Sequence, residues 1–156
     1  MGSLMDLVAG ESREILLALA TDDLDGLDDP DRFAAHLPLG GGLDPTWLDL
    51  FSEAVRTVTG REEPADFLDA RSELGAPGAG GDRIVERVDP DWMEAVARVP
   101  HDRLDALAGR WIDLLEEELG LLPREEKPWI RELTAQIVQF ARAADGARDV
   151  VFAWSF

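Results

Sequence analysis

Residues 149–156 read DVVFAWSF, with four bulky apolar residues, Val150 to Phe152 and Trp154, in a near-continuous stretch. Regular alternation of apolar and polar residues marks a strand with one wet face, whereas a near-continuous apolar run marks a strand covered on both faces. The segment is too short and too β-branched for a helix, so a sheet is predicted inside a chain whose other patterns are mostly helical. Arg83–Val88 (RIVERV), with Ile84, Val85 and Val88, supplies a second strand. Residues 4–9 (LMDLVA) supply a short first one.

Between these strands the apolar residues recur at helical spacing. Ser12 is placed to cap a helix carrying Ile15, Leu16 and Leu19, with Glu14 in the first turn where the helix dipole favours it. Asp44-Pro45 and Asp89-Pro90 are matching start signals, an N-cap acid followed by a proline whose missing N–H costs nothing at the first helical position. Behind the first lie Leu48, Phe51, Val55 and Val58, closed by Gly60; behind the second lie Trp92, Met93, Val96 and Val99, stopped by Pro100. The echo of LDPTW (43–47) in VDPDW (88–92) is read as one start signal used twice, since a solenoid needs at least three units. A helix over 102–119 carries Leu104, Leu107, Trp111, Leu114 or Leu115, and Leu119 as its apolar stripe and ends at Gly120. The last helix is predicted from Pro128, with Ile130, Leu133, Ile137, Phe140, Ala141 and Ala144 inward and Gly146 at its end. Two stretches read as loops, acidic Thr21 to Asp31 and glycine-rich Gly75 to Gly81.

The chain has 156 residues, which suits one domain spanning 1–156, and 46% hydrophobic content supplies its core. With no cysteine, disulfides, thiol chemistry and Cys-ligated zinc are excluded, and a reducing cytoplasm is the expected compartment. Neither a secretory leader nor a membrane-spanning run is expected. The formal charge is −18, and residues 1–52 are the most acidic third, with 11 acids against Arg13 and Arg32. Such a field repels nucleic-acid backbones and anionic lipid and favours a basic protein partner, although solubility alone also explains it.

No catalytic constellation emerges from the chemistry-bearing residues. His36 is read in a loop before Gly40 to Gly42, and His101 at a helix start beside Asp102, where it serves as a cap or a solvated group. No GxSxG elbow is present. With Gly26 at position 6 of a calcium loop, Thr21 and Arg32 fall at positions 1 and 12, so the bidentate acid is missing. Neither glycine cluster has phosphate-loop context, and no cofactor or metal is expected. Glu116, Glu117 and Glu118 stand out, because they occupy the last turn of the 102–119 helix where the dipole disfavours negative charge. They are the candidate binding residues for a basic partner, unless Arg124 and Lys127 simply neutralise them.

The plan of the chain resembles that of the YfbM-like family of small bacterial proteins. The points of likeness are the first strand followed by the Ser12 to Ala20 helix and the central helix with Asp44, Trp47, Thr59 and Gly60. The third is the late helix running into the terminal strand over Trp129 to Phe156. The spacing from Trp47 to Gly60 is longer than that family's pattern. The resemblance spans most of the chain in order, implies a compact α+β fold, and carries no assigned chemistry.

The sequence thus predicts an α+β domain, four or five helices packed on a small sheet that includes Arg83 to Val88 and Asp149 to Trp154. Its expected function is protein binding of the immunity or inhibitor kind. The alternative is a small-ligand binder or hydrolase-like enzyme using carboxylates in an aromatic-lined cleft. A third reading, a nucleic-acid mimic, needs an elongated array of acids.

Overall fold

The computed structural model describes residues 4–20, 25–40, 45–73 and 83–155. Five strands and five α-helices follow one another as β1 (Leu4–Gly10), α1 (Ser12–Ala20), β2 (Ala35–Gly40), α2 (Pro45–Thr59), β3 (Arg71–Glu73), β4 (Arg83–Val88), α3 (Pro90–Ala97), α4 (Leu104–Leu119), α5 (Glu126–Ala143) and β5 (Asp149–Ser155). Short 3₁₀ turns form at Asp25–Asp28 and His101–Arg103. The strands make one antiparallel sheet in the order β2-β1-β5-β4-β3. The α+β class and the strands over 83–88 and 149–154 are as the sequence reads.

Pleating explains the composition of β5. Val150 and Phe152 enter the large core beneath α2 to α5, while Val151 and Ala153 enter a second core beneath α1. That second core adds Ile15, Ala18, Leu19, Leu27 and Phe33. β1 divides in the same way, with Met5, Leu7 and Ala9 on the first face and Val8 on the second. The sheet is therefore enclosed on both sides, as the terminal run requires.

Two strands have no counterpart in the sequence reading. β2 (AHLPLG) contains Pro38, which a ladder tolerates at an edge, and β2 is an edge strand. β3 is three polar or charged residues, RSE, with no apolar signal, and closes the other edge. His36 consequently lies in β2 and not in a loop. α5 begins at Glu126, two residues before Pro128. Leu119, assigned to the inward stripe of α4, is 57% exposed because the helix has turned it past the core by its last residue. The Asp44 cap, the loop over 75–81 and residues 21–24 of the acidic loop lie outside the described residues.

The Asp89-Pro90 start signal and the glycine stops hold, whereas Ser12, read as the cap of α1, is its first helical residue, with its N–H accepted by Asp149 at 3.3 Å. Asp89 caps α3 by accepting the Asp91 N–H at 2.9 Å, with Pro90 at the first helical position. Gly60, Gly120 and Gly146 all take positive φ (68°, 90° and 83°), a conformation that costs a Cβ-bearing residue, so glycine ends these segments cheaply. No helix among the described residues is long and apolar enough to cross a membrane.

Aromatic rings join the helices to the sheet. Phe67 meets Phe152 edge-on at 5.1 Å and Trp92 at 4.9 Å; Phe51 meets Trp111 at 5.0 Å and Trp92 at 6.2 Å. Edge-to-face contacts of this kind add to area burial. The two fully buried indoles, Trp111 and Trp92, both find acceptors: Trp111 Nε1 donates to the Trp47 carbonyl, and Trp92 Nε1 to Ser52 Oγ, both at 2.9 Å. Ser52, itself fully buried, passes its own proton to the Leu48 carbonyl at 2.8 Å. Ser52→Ala strands the Trp92 N–H, and we expect a loss of about 1–3 kcal/mol. In a double-mutant cycle with Trp92→Phe, urea unfolding should give a coupling of about 1 kcal/mol; strict additivity would show that this bond contributes nothing.

Candidate functional site

Three places concentrate charge or exposed apolar surface. The first is the end of α4, where the sequence places Glu116, Glu117 and Glu118. Only Glu117 and Glu118 project as exposed carboxylates. Glu116 is turned inward, and its carboxylate lies 3.4 Å from the ammonium of Lys127, so one of the three acids is already neutralised. Beyond them Gly120 closes the helix, its N–H bonded to the Glu116 carbonyl at 2.9 Å. The chain then presents Leu121 with 91% of its surface exposed, next to the exposed Leu119. Leu122 turns back onto the core, and Trp129, itself part-exposed at the start of α5, leans on Trp47 at 6.4 Å. Apolar side chains thus border the acids, a juxtaposition that charge counting along the sequence did not show.

The second place is His36. Its Nε2 lies 2.8 Å from Asp6 on β1, and its Nδ1 lies 2.7 Å from Asp28 in the 3₁₀ turn. Burial alone would lower the imidazole pKa, but hydrogen bonds and attraction from Asp6 and Asp28 outweigh it and raise the pKa above 6.5. Below that raised pKa both ring nitrogens carry protons and donate them to the two carboxylates. With both nitrogens engaged by carboxylates, His36 ties the turn to the sheet edge. His101 is exposed in its 3₁₀ turn, which makes it the solvated group that the sequence allows.

Two carboxylate settings bear on acid–base chemistry. Asp49 has a raised pKa, chiefly through burial, opposed by the Leu68 N–H that it accepts at 2.7 Å and reinforced by Asp66. Asp66 is held at 2.8 Å by Arg56. Glu86 is held at 3.0 Å by Arg71, whose guanidinium lies over the rings of Phe67 (4.9 Å) and Phe152 (5.2 Å). These acids are occupied in joining β3, β4 and α2.

The third place is a cleft of about 560 Å³ between α3, the end of α5 and the turn into β5. Its floor is aliphatic, including the buried Val88, Met93, Ala144 and Val150, with no Trp or Phe in its lining. Its rim holds Arg87, Arg98, Arg142 and Arg148 against Glu94, Asp145 and Asp149. A smaller cleft of about 220 Å³ shares Arg98 and adds Arg61, Arg103 and Glu63. Six arginines therefore meet four carboxylates here, in a chain with 33 acids and 15 bases. They come from positions as distant as 61 and 148, and for that reason no run in the sequence announces them.

Comparison with protein-family models, characterised proteins and solved structures gave no match. Among the described residues no group of three or more His, Asp or Glu side chains is arranged to hold a metal ion.

The His36 tie gives a signed pH dependence. A group with a raised folded pKa contributes its full stability below the unfolded value, about 6.5, and loses it as pH rises through the folded value. The stability difference between wild type and His36→Gln should therefore be larger at pH 5.5 than at pH 8.5 in urea titrations. A difference that grows with pH would show that the imidazole is held neutral.

Proposed function

We propose that this chain is a protein-binding domain of the immunity or inhibitor kind, and that it takes a basic partner at the end of α4. The observation that carries the reading is the exposed pair Leu119 and Leu121 set directly beside Glu117 and Glu118. An apolar anchor with charges around it is the usual anatomy of a specific interface: the anchor supplies affinity once desolvated, and the charges supply rate and register. The helix adds to the field, because the carbonyl end of α4 carries partial negative charge on the same side as the acids. A lysine or arginine of the partner would satisfy both at once.

The whole-molecule charge works in the same direction, accelerating encounter with a basic protein from a distance of about one Debye length, near 8 Å at physiological salt. The likeness to the YfbM-like family implies the α+β fold and assigns no chemistry. The absence of cysteine fits action in the cytoplasm. An enzyme working through carboxylates has weaker support, since the two clefts at α3 are rimmed by arginine and floored by aliphatic residues.

The test is affinity capture from cytosol with three baits: wild type, Glu117→Lys/Glu118→Lys, and Leu121→Asp. We expect a basic protein retained at 50 mM salt and depleted at 500 mM, with retention cut about tenfold or more by each variant. Capture indifferent to salt, or unchanged in both variants, would sink the proposal.

A further inference from the structure

The arginine-rimmed cleft lies on α3, α5 and the turn into β5, and its chemistry does not depend on any protein partner. We infer that it binds an amphipathic monocarboxylate, a compound with an apolar body and one carboxylate head. Its volume, about 560 Å³, falls in the range of small-molecule sites. Met93, Ala144 and Val150 give a floor that an apolar body can cover, and the rim supplies guanidinium forks that match a carboxylate's two oxygens.

The four arginines are not equally available. Arg142 donates Nε to the Ala97 carbonyl at 3.2 Å and Nη2 to the Val99 carbonyl, so its charge is committed to the end of α3. Arg87 is held by Asp149, at 3.2 Å, and Asp149 also accepts the Ser12 N–H at 3.3 Å, a link that fixes both in place. Arg98 and Arg148 are different. Arg98 pairs with Glu94, with both side chains more than half exposed. Arg148 approaches Glu11 only to 3.6 Å, with exposures of 78% and 56%. Exposed pairs of this kind are worth little, so a ligand carboxylate can replace Glu94 or Glu11 at small cost while the displaced acid returns to water.

The charge balance selects a singly charged head. Three acids lining the cleft offset three of its four arginines, a fourth acid, Glu11, gives up Arg148 to the ligand when displaced, and the carbonyl ends of α3 and α5 add further negative potential. A monoanion meets a matched site, whereas a phosphate dianion meets an excess of negative charge. The remaining surface, carrying most of the 33 acids, repels both.

Titrating ¹⁵N-labelled protein with 1-naphthoate, 1-naphthalenemethanol and 1-naphthyl phosphate tests the inference by amide chemical shifts. Naphthoate should saturate shifts at Ala97, Ala144 and Ala147 and bind about tenfold or more tightly than the neutral alcohol and the dianion. Arg98→Gln/Arg148→Gln, two exposed positions, should reduce naphthoate to the affinity of the alcohol with an unchanged thermal melt. Failure of naphthoate to saturate, shifts outside the cleft, equal binding of the alcohol or the phosphate, or indifference to the double variant would each overturn it.

Discussion

The pairing of β1 with β5 along their whole length is the constraint from which the rest of the structure follows. Leu4 to Gly10 lie in register with Ser155 to Asp149, so the first and last described strands meet in the middle of the sheet and the helices of the described residues lie between them in the chain. Because each of these strands sends side chains into both cores, a one-residue slip would exchange Val150 and Phe152 with Val151 and Ala153. Slipped one way, the Phe152 ring would enter the space of the Ala153 methyl group; slipped the other way, that methyl group would be left in the space of the ring. Register here is specified by volume as well as by polarity. Among the described strands this pairing is also the longest-range one in sequence, and closing so long a loop carries a large entropic cost.

Around that pair the structure keeps its polar groups satisfied by borrowing backbone. Ser52 takes the Trp92 proton and bonds back to Leu48; Trp47 offers its carbonyl to Trp111; Arg142 caps the end of α3. Apart from the Ser52–Leu48 bond within α2, each crosses between elements distant in sequence and so fixes an orientation that apolar contact alone leaves loose. The edges are handled by other means: Pro38 in β2 and the brevity of β3 leave little ladder for another strand to join.

Legibility in the sequence followed the range of the physics. Helix ends were readable because Asp89-Pro90 and the glycines at 60, 120 and 146 act within one turn of where they stand. The DVVFAWSF strand was readable because two-sided burial writes itself into consecutive residues. β2 and β3 were not, since Pro38 interrupts one and the other is polar, and both are strands only by pairing with neighbours far along the chain. The same holds for the candidate sites. Glu117 and Glu118 were visible as a local conflict with the helix dipole, yet the inward turn of Glu116 toward Lys127 depends on how α4 meets α5. His36, standing between an acidic stretch and a glycine cluster, showed no sign that Asp6 and Asp28 would converge on it.

Charge distribution shows why net charge is a poor guide to a surface. Residues 53–100 and 101–156 each look mildly acidic, with 11 acids against 6 and 7 bases, and no basic run appears anywhere. The fold then gathers Arg61, Arg87, Arg98, Arg103, Arg142 and Arg148 around two adjoining clefts at α3 and leaves the acids to cover other faces. A polyanion of −18 is destabilised by self-repulsion, and clustering its cations would worsen that unless they were interleaved with acids. They are: Glu94, Asp149 and Glu11 each lie against one of them. The acids that line the recess keep it close to neutral although the chain as a whole carries −18, so net charge says little about any one face.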